Sequence, residues 1–162
     1  DITPLASAHR SLLGILRVEF GTYGRIRASG YIEGNKTKNL ITAGPFSMVR
    51  NPLYFFSLIM LLGFSLALKA IYLPLALLLI FVLFHVPTIA NEERKLRKNH
   101  GDKFESYMKS TPRLIPNIFK YKRPETGEKV LVKISRINGV LIEVIGYLFL
   151  YTLIDIIYFI LD

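Results

Sequence analysis

The sequence predicts an all-α fold, a polytopic membrane helical bundle built around a transmembrane hairpin. Three observations predict it. The 162 residues are 51% hydrophobic, and they also carry 21 Lys and Arg against 12 Asp and Glu, a net charge of +9. Mean hydropathy is nonetheless +0.37, so the charges must be segregated. They are: from Leu53 to Ala90 the only formal charge is Lys69, and from Gly139 to Leu161 there are only Glu143 and Asp155. The length suits one domain, and the absence of cysteine excludes a disulfide framework, a Cys metal site and a thiol nucleophile.

The elements follow in order. Residues 5 to 20 set Leu5, Ala8, Leu12, Ile15, Leu16 and Val18 within helical reach among His9, Arg10, Arg17 and Glu19. That pattern reads as an amphipathic or partly inserted helix and not as a signal peptide. Residues 21 to 48 carry Gly21, Gly24, Gly30, Gly34 and Gly44 with Asn, Lys and Thr, and are expected to be a polar loop with short extended pieces. Pro52 starts a helix, where its fixed φ and missing N–H do no harm. A span needs about 20 apolar residues. Leu53 to Leu68 is slightly short of that and Ile71 to Ala90 meets it; with Lys69 and Ala70 as the turn, they form the hairpin. Pro87 is expected to kink the second helix.

Residues 91 to 109 read as a continuation of that helix, a break at Gly101 and a short amphipathic helix carrying Phe104, Tyr107 and Met108. Residues 111 to 124 hold three prolines and are expected to be extended or looping. The run from Gly139 to Leu161 is long enough to span with some tilt. The chain begins with Asp rather than Met, and is read as processed or as a fragment lacking upstream helices.

Lys and Arg set the orientation. Seven precede Pro52, one lies in the turn and thirteen lie between residues 91 and 136. Both polar segments are therefore expected in the cytoplasm and the turn on the far side. The basic residues at 94 to 98 and 120 to 123 adjoin membrane segments, which favours anionic lipid head groups over nucleic acid.

The hairpin gathers polar residues at one end: Arg50, Asn51 and Tyr54 where the first helix starts, His85, Glu92 and Glu93 where the second leaves the apolar run. A helix start with free N–H groups and an Arg suits a carboxylate or phosphate. Carboxylates opposite suit an ammonium, so both signs together suit a zwitterion. Taken singly, each residue has a plain reading: Arg50 as a charge anchor, Tyr54 as an interfacial aromatic, Glu92 and Glu93 as a solvated face. His85 either lines a site or packs. Glu143 and Asp155 pair with basic residues of another helix, sit near a membrane surface, or bind a partner.

TAGPFSMVRNPLYFF and NEERKLRKNHGDKFESYMKSTPRLIP resemble the integral-membrane methyltransferases related to isoprenylcysteine carboxyl methyltransferase and phospholipid methyltransferases. Thr42, Gly44, Pro45, Phe46, Arg50, Asn51, Pro52 and Tyr54 match the first part of that pattern. Glu92, Glu93, Leu96, Gly101, Phe104, Tyr107, Arg113 and Pro116 match the second. The resemblance implies a core over residues 1–118, with 119–162 a basic linker and a C-terminal transmembrane helix. It implies S-adenosylmethionine as cofactor, held by Gly44, Pro45, Phe46, Val49, Arg50, Asn51, Pro52, Tyr54, Glu92 and Glu93 in segments facing the cytoplasm. No metal is implied. The acceptor would be lipid-like or prenylated and enter from the bilayer. Arg113 would orient the acceptor or close a lid, and His85 or Glu93 would serve as base if the acceptor is an amine. The chain departs from the family pattern at Asn51, where many members have His, and at Phe56, where a small residue is common. It also lacks an Arg shortly before the Glu pair. A non-catalytic membrane scaffold or lipid-binding protein on the same fold, and an NADPH-dependent sterol reductase, are the rival expectations.

Overall fold

The computed structural model describes residues 4–34, 40–67, 72–123 and 134–161. Within them the chain is helical, with α1 (Pro4–Gly34), α2 (Pro45–Met48), α3 (Pro52–Ala67), α4 (Leu73–His100), α5 (Asp102–Ser110), a single 3-10 turn (Ile118–Lys120) and α6 (Ile134–Leu161). No strand occurs among the described residues. α4 and α6 are long and apolar enough to cross a membrane, and α3 is a shorter apolar helix. The all-α membrane bundle expected from the charge segregation is the observed fold. The Lys69–Ala70 turn and the side chain of Asp155 lie outside the described residues.

The first expectation to fail is the polar loop at 21 to 48. Residues 21 to 34 continue α1, which runs unbroken for 31 residues. Gly21 and Gly24 are packing notches instead, as is Gly63 on the facing helix. A Cβ on Gly21 would press into Met60 and the backbone of Phe56; one on Gly24 would overlap the Phe56 ring; one on Gly63 would stand 2.9 Å from the Gly14 carbonyl. The register 14 to 63, 21 to 60 and 24 to 56 makes α1 antiparallel to α3. Small residues let two apolar helices approach closely, and such surfaces serve where no water is available to drive association. Of the described residues between α1 and α2, 40–44 lie outside a helix. Because Arg17 stands beside Gly63, at the end of α3 opposite Arg50, the basic residues before Pro52 are not all on one side of the bundle.

In the second half, the break at Gly101 and the short helix after it match their expectation, while residues 118–120 form a 3-10 turn inside the segment expected to be extended or looping. Pro87 lies inside α4, yet the helix continues to His100. The Thr88 hydroxyl donates to the Phe84 carbonyl at 2.8 Å, beside the carbonyl that Pro87 cannot serve. Gly101 ends the helix at φ 51°, its N–H donating to the Arg97 carbonyl at 2.9 Å. α5 opens with Asp102 and Glu105 and closes with Lys109, each favourable to its dipole, and buries Phe104 and Tyr107. α6 joins through Arg25 of α1, which pairs with Glu143, and through Tyr147, whose ring lies 5.0 Å from that of Phe64.

Candidate functional site

The site is assembled where α3 begins, and its backbone is pinned from three sides. Gly44 takes φ 59°, a conformation that favours glycine, and a Cβ there would meet the Tyr31 ring. Its N–H donates to the Lys122 carbonyl at 2.8 Å, and its carbonyl accepts from the Ser47 hydroxyl at 2.6 Å. That hydroxyl in turn accepts from the Lys122 N–H. The Arg50 N–H donates to the Pro112 carbonyl at 2.9 Å, and the Asn117 N–H donates to the Met48 carbonyl at 2.9 Å. From below, the Tyr107 hydroxyl donates to the Phe46 carbonyl at 2.6 Å. Burial pushes the Tyr107 phenol well up, so it stays a neutral donor. Val49 and Pro52 are buried in this platform, and Pro45 opens its one-turn helix.

Glu93 stands at the centre. Its Oε1 accepts from the Asn51 amide at 3.0 Å and lies 3.5 Å from the Arg50 guanidinium. Its Oε2 lies 3.1 Å from Arg113 Nε, close enough for an ion pair but off the line of the N–H bond. The Asn51 amide also donates to the Arg113 carbonyl at 3.1 Å, tying the closing segment down. One carboxylate therefore faces two guanidiniums, leaving one unit of positive charge. The Nε atoms of Arg50 and Arg113 are buried and have no hydrogen-bond partner. Buried donors without acceptors are costly, and a carboxylate placed there would relieve both charge and donors.

Glu92 points elsewhere, as a neighbour about 100° around a helix must. It is exposed and accepts from the Tyr54 hydroxyl at 3.0 Å. The Tyr54 ring meets His85 edge to face at 5.6 Å. His85 stacks on Phe81 at 4.2 Å. Its Nδ1 lies 3.2 Å from the Phe81 carbonyl; a carbonyl only accepts, so Nδ1 is the donor. His85 and Glu92, two turns apart, are thus linked through Tyr54.

Every site residue named from the sequence falls in or beside this region, but the Glu pair is divided. Glu93 is enclosed by Asn51, Arg50 and Arg113, and Glu92 is open. Reading the sequence missed the clamp roles of Ser47 and Tyr107 and the backbone of Lys122. Tyr107 stands in the second motif and carried a signal; Ser47 and Lys122 carried none.

A helical bundle with membrane-length helices and a mixed-charge cluster where two of them meet defines the class, a membrane protein with a polar site at one edge of its apolar body. The chain belongs to the phospholipid methyltransferase family, whose model matches residues 15–103, more than half of it. That family is part of the isoprenylcysteine carboxyl methyltransferase-like group of membrane methyltransferases. Among curated relatives, it is 32% identical over 120 residues to the nickel-cobalt-cadmium resistance protein NccN of Alcaligenes xylosoxydans xylosoxydans, covering 74% of this chain and 56% of that one. It is 33% identical over 114 residues to the cobalt-zinc-cadmium resistance protein CzcN of Cupriavidus metallidurans, covering 70% and 52%. The chain thus spans about half the length of the curated relatives it matches. No solved structure matches it.

Proposed function

We propose that the chain carries the site of a methyltransferase that uses S-adenosylmethionine and a lipid-like acceptor, an isoprenylcysteine carboxylate or similar, at the cytoplasmic face of a multi-pass membrane protein. The observation that carries this reading is that Glu93 faces both guanidiniums, Arg50 and Arg113, whose buried Nε atoms no hydrogen bond satisfies, while the next residue, Glu92, presents an open carboxylate. The arrangement offers a place for a carboxylate and a place for an ammonium, the two charges of the methionine end.

The residues then divide the work. Arg50 and Arg113 would receive the carboxylate, with Asn51 and Glu93 fixing their positions. Glu92, oriented by Tyr54, would receive the ammonium. Gly44, Pro45 and Phe46 would shape the wall for the adenosyl group. When bound, the cofactor supplies a methyl group already activated by the sulfonium. The protein's task is alignment and exclusion of water. A carboxylate acceptor is ionised near neutral pH and needs no base. An amine acceptor must lose a proton, and His85, whose Nδ1 is engaged by the Phe81 carbonyl, would take it on Nε2.

The test is methyl transfer in membranes holding the full-length protein, with label on the cofactor's methyl group and Glu92→Ala and Arg50→Ala beside it. Label released as methanol in base means a carboxyl ester; base-stable label in the lipid phase means an amine or carbon acceptor. Unchanged cofactor affinity and turnover in both variants sinks the assignment. A non-catalytic scaffold is the second reading, favoured by Glu93 being satisfied within the chain. It requires that no cofactor binding be measurable, and a sterol reductase would instead bind NADPH. Because two relatives are named for metal resistance, growth of the host on cobalt, nickel, zinc or cadmium is a cellular readout for the same variants.

A further inference from the structure

Most exposed large apolar side chains lie on α1, α4 and α6, where a bilayer would face them. Of the six that do not, Leu66 and Tyr72 flank the α3–α4 connection, and Ile115, Ile118, Phe119 and the half-exposed Tyr121 lie together elsewhere. Ile115 is 80% exposed, Ile118 66% and Phe119 93%, and all stand on the segment that follows α5. This segment is not loose. The Asn117 side chain accepts from the Phe119 N–H at 3.1 Å and caps the 3-10 turn, and the Asn117 N–H holds the turn to the Met48 carbonyl. Two residues later Lys122 pairs with Gly44. The fold therefore spends fixed backbone bonds to present three apolar side chains outward. Isolated exposed apolar residues are ordinary; a rigid cluster of them marks an interaction surface.

The position of the turn says what it meets. Met48 lies four residues before Pro52, where the apolar helix α3 begins, so the turn sits at the level where the bundle enters the bilayer. Its surroundings are basic. Lys109 and Lys120 line a groove of about 650 Å³ between the end of α5 and this turn, and Lys122 and Arg123 follow. Apolar side chains beside lysines at that depth match the boundary between acyl chains and anionic head groups.

We propose that Ile115, Ile118 and Phe119 form a membrane-interface wedge, inserted beneath the head groups, with the adjoining groove taking the phosphate of an anionic phospholipid. The wedge rests on the membrane reading of the fold and not on methyl transfer. It would hold the closing segment 111–117, and with it Arg113, against the bilayer from which a lipid acceptor comes.

These 162 residues hold no tryptophan, so Phe119→Trp, with any Trp outside them changed to Phe, supplies a single emitter at a site exposed enough to leave folding intact. The full-length variant would be reconstituted in phosphatidylcholine vesicles with and without phosphatidylglycerol, and quenching by lipids brominated near the head-group end of the acyl chain compared with quenching by aqueous iodide. The expected result is blue-shifted emission, strong bromolipid quenching and little iodide quenching. Bromine on the anionic lipid should quench more than bromine on the zwitterionic one. Lys109→Gln with Lys120→Gln, or high salt, should erase that preference while leaving the blue shift. Red-shifted emission open to iodide overturns the proposal, since the wedge is then in water. Blue-shifted emission without bromolipid quenching also overturns it, because the patch is then covered by protein. Equal quenching by both lipids overturns the anionic groove.

Discussion

At the scale of single residues the two glutamates are the clearest contrast. Glu93, only 13% exposed, is the one anion between Arg50 and Arg113. Removing it leaves two guanidiniums facing each other with no counter-charge, and breaking such a buried pair costs about 3–5 kcal/mol. Glu93→Gln is therefore expected to lower the thermal unfolding temperature in detergent markedly. Glu92→Gln keeps an acceptor for the Tyr54 hydroxyl and loses only an exposed charge, about 1 kcal/mol at most. It should leave that temperature nearly unchanged while weakening cofactor binding, read by calorimetry. Tyr107 adds a pH dependence. Its phenol is held protonated in the fold by burial, above its usual value of about 10. A group raised on folding stabilises fully below its unfolded value and loses that contribution as pH rises through the folded one. Stability should thus fall above about pH 10, and Tyr107→Phe should flatten that fall while costing about 1 kcal/mol at neutral pH. Denaturant titrations at neutral and alkaline pH would show both.

Among elements, the α1–α3 contact decides the most. Phe56 departs from the family's usual small residue, and Gly24 on the facing helix supplies the space that its ring fills. Gly24→Ala is expected to destabilise by about 1–3 kcal/mol through overpacking. Combining it with Phe56→Ala should cost less than the sum of the two single changes, with a coupling of about 1 kcal/mol or more in a double-mutant cycle. The sequence showed the large residue but not its partner, because sequence alone does not say which glycine lies opposite. The same gap explains the failed loop at 21 to 34. Glycine weakens an isolated helix in water by about 1 kcal/mol, and that rule assumes no neighbour close enough to use the missing side chain. By contrast, the break at Gly101 and the amphipathic α5 were legible, since both depend on local backbone and period alone.

Over the whole molecule, α6 lies outside the residues matched by the family model, yet it is tied to α1 by Arg25 and Glu143. Two opposite charges beside lipid are tolerable only together. Glu143→Arg alone should loosen α6 and raise its cleavage by protease, and Arg25→Glu in the same chain should restore protection. The proposed orientation has its own check, helped by the absence of cysteine. In intact cells Lys69→Cys should react with an impermeant maleimide, and Lys98→Cys only after permeabilisation. The reverse pattern would invert the topology.

The sequence by itself determined the fold class, the hairpin, the helix break at Gly101 and the polar residues at one end of the bundle, because segregation of charge and helical period act within a few turns of chain. It also carried the motif from Thr42 to Pro116 on which the family rests. Only the tertiary structure decided that α1 runs on past its glycines, that Glu93 is enclosed while Glu92 is open, and that Arg25 meets Glu143. Each of these depends on which surfaces face each other across the bundle, and close approach, counter-charge and burial are properties of pairs of helices, which one strand of sequence does not contain.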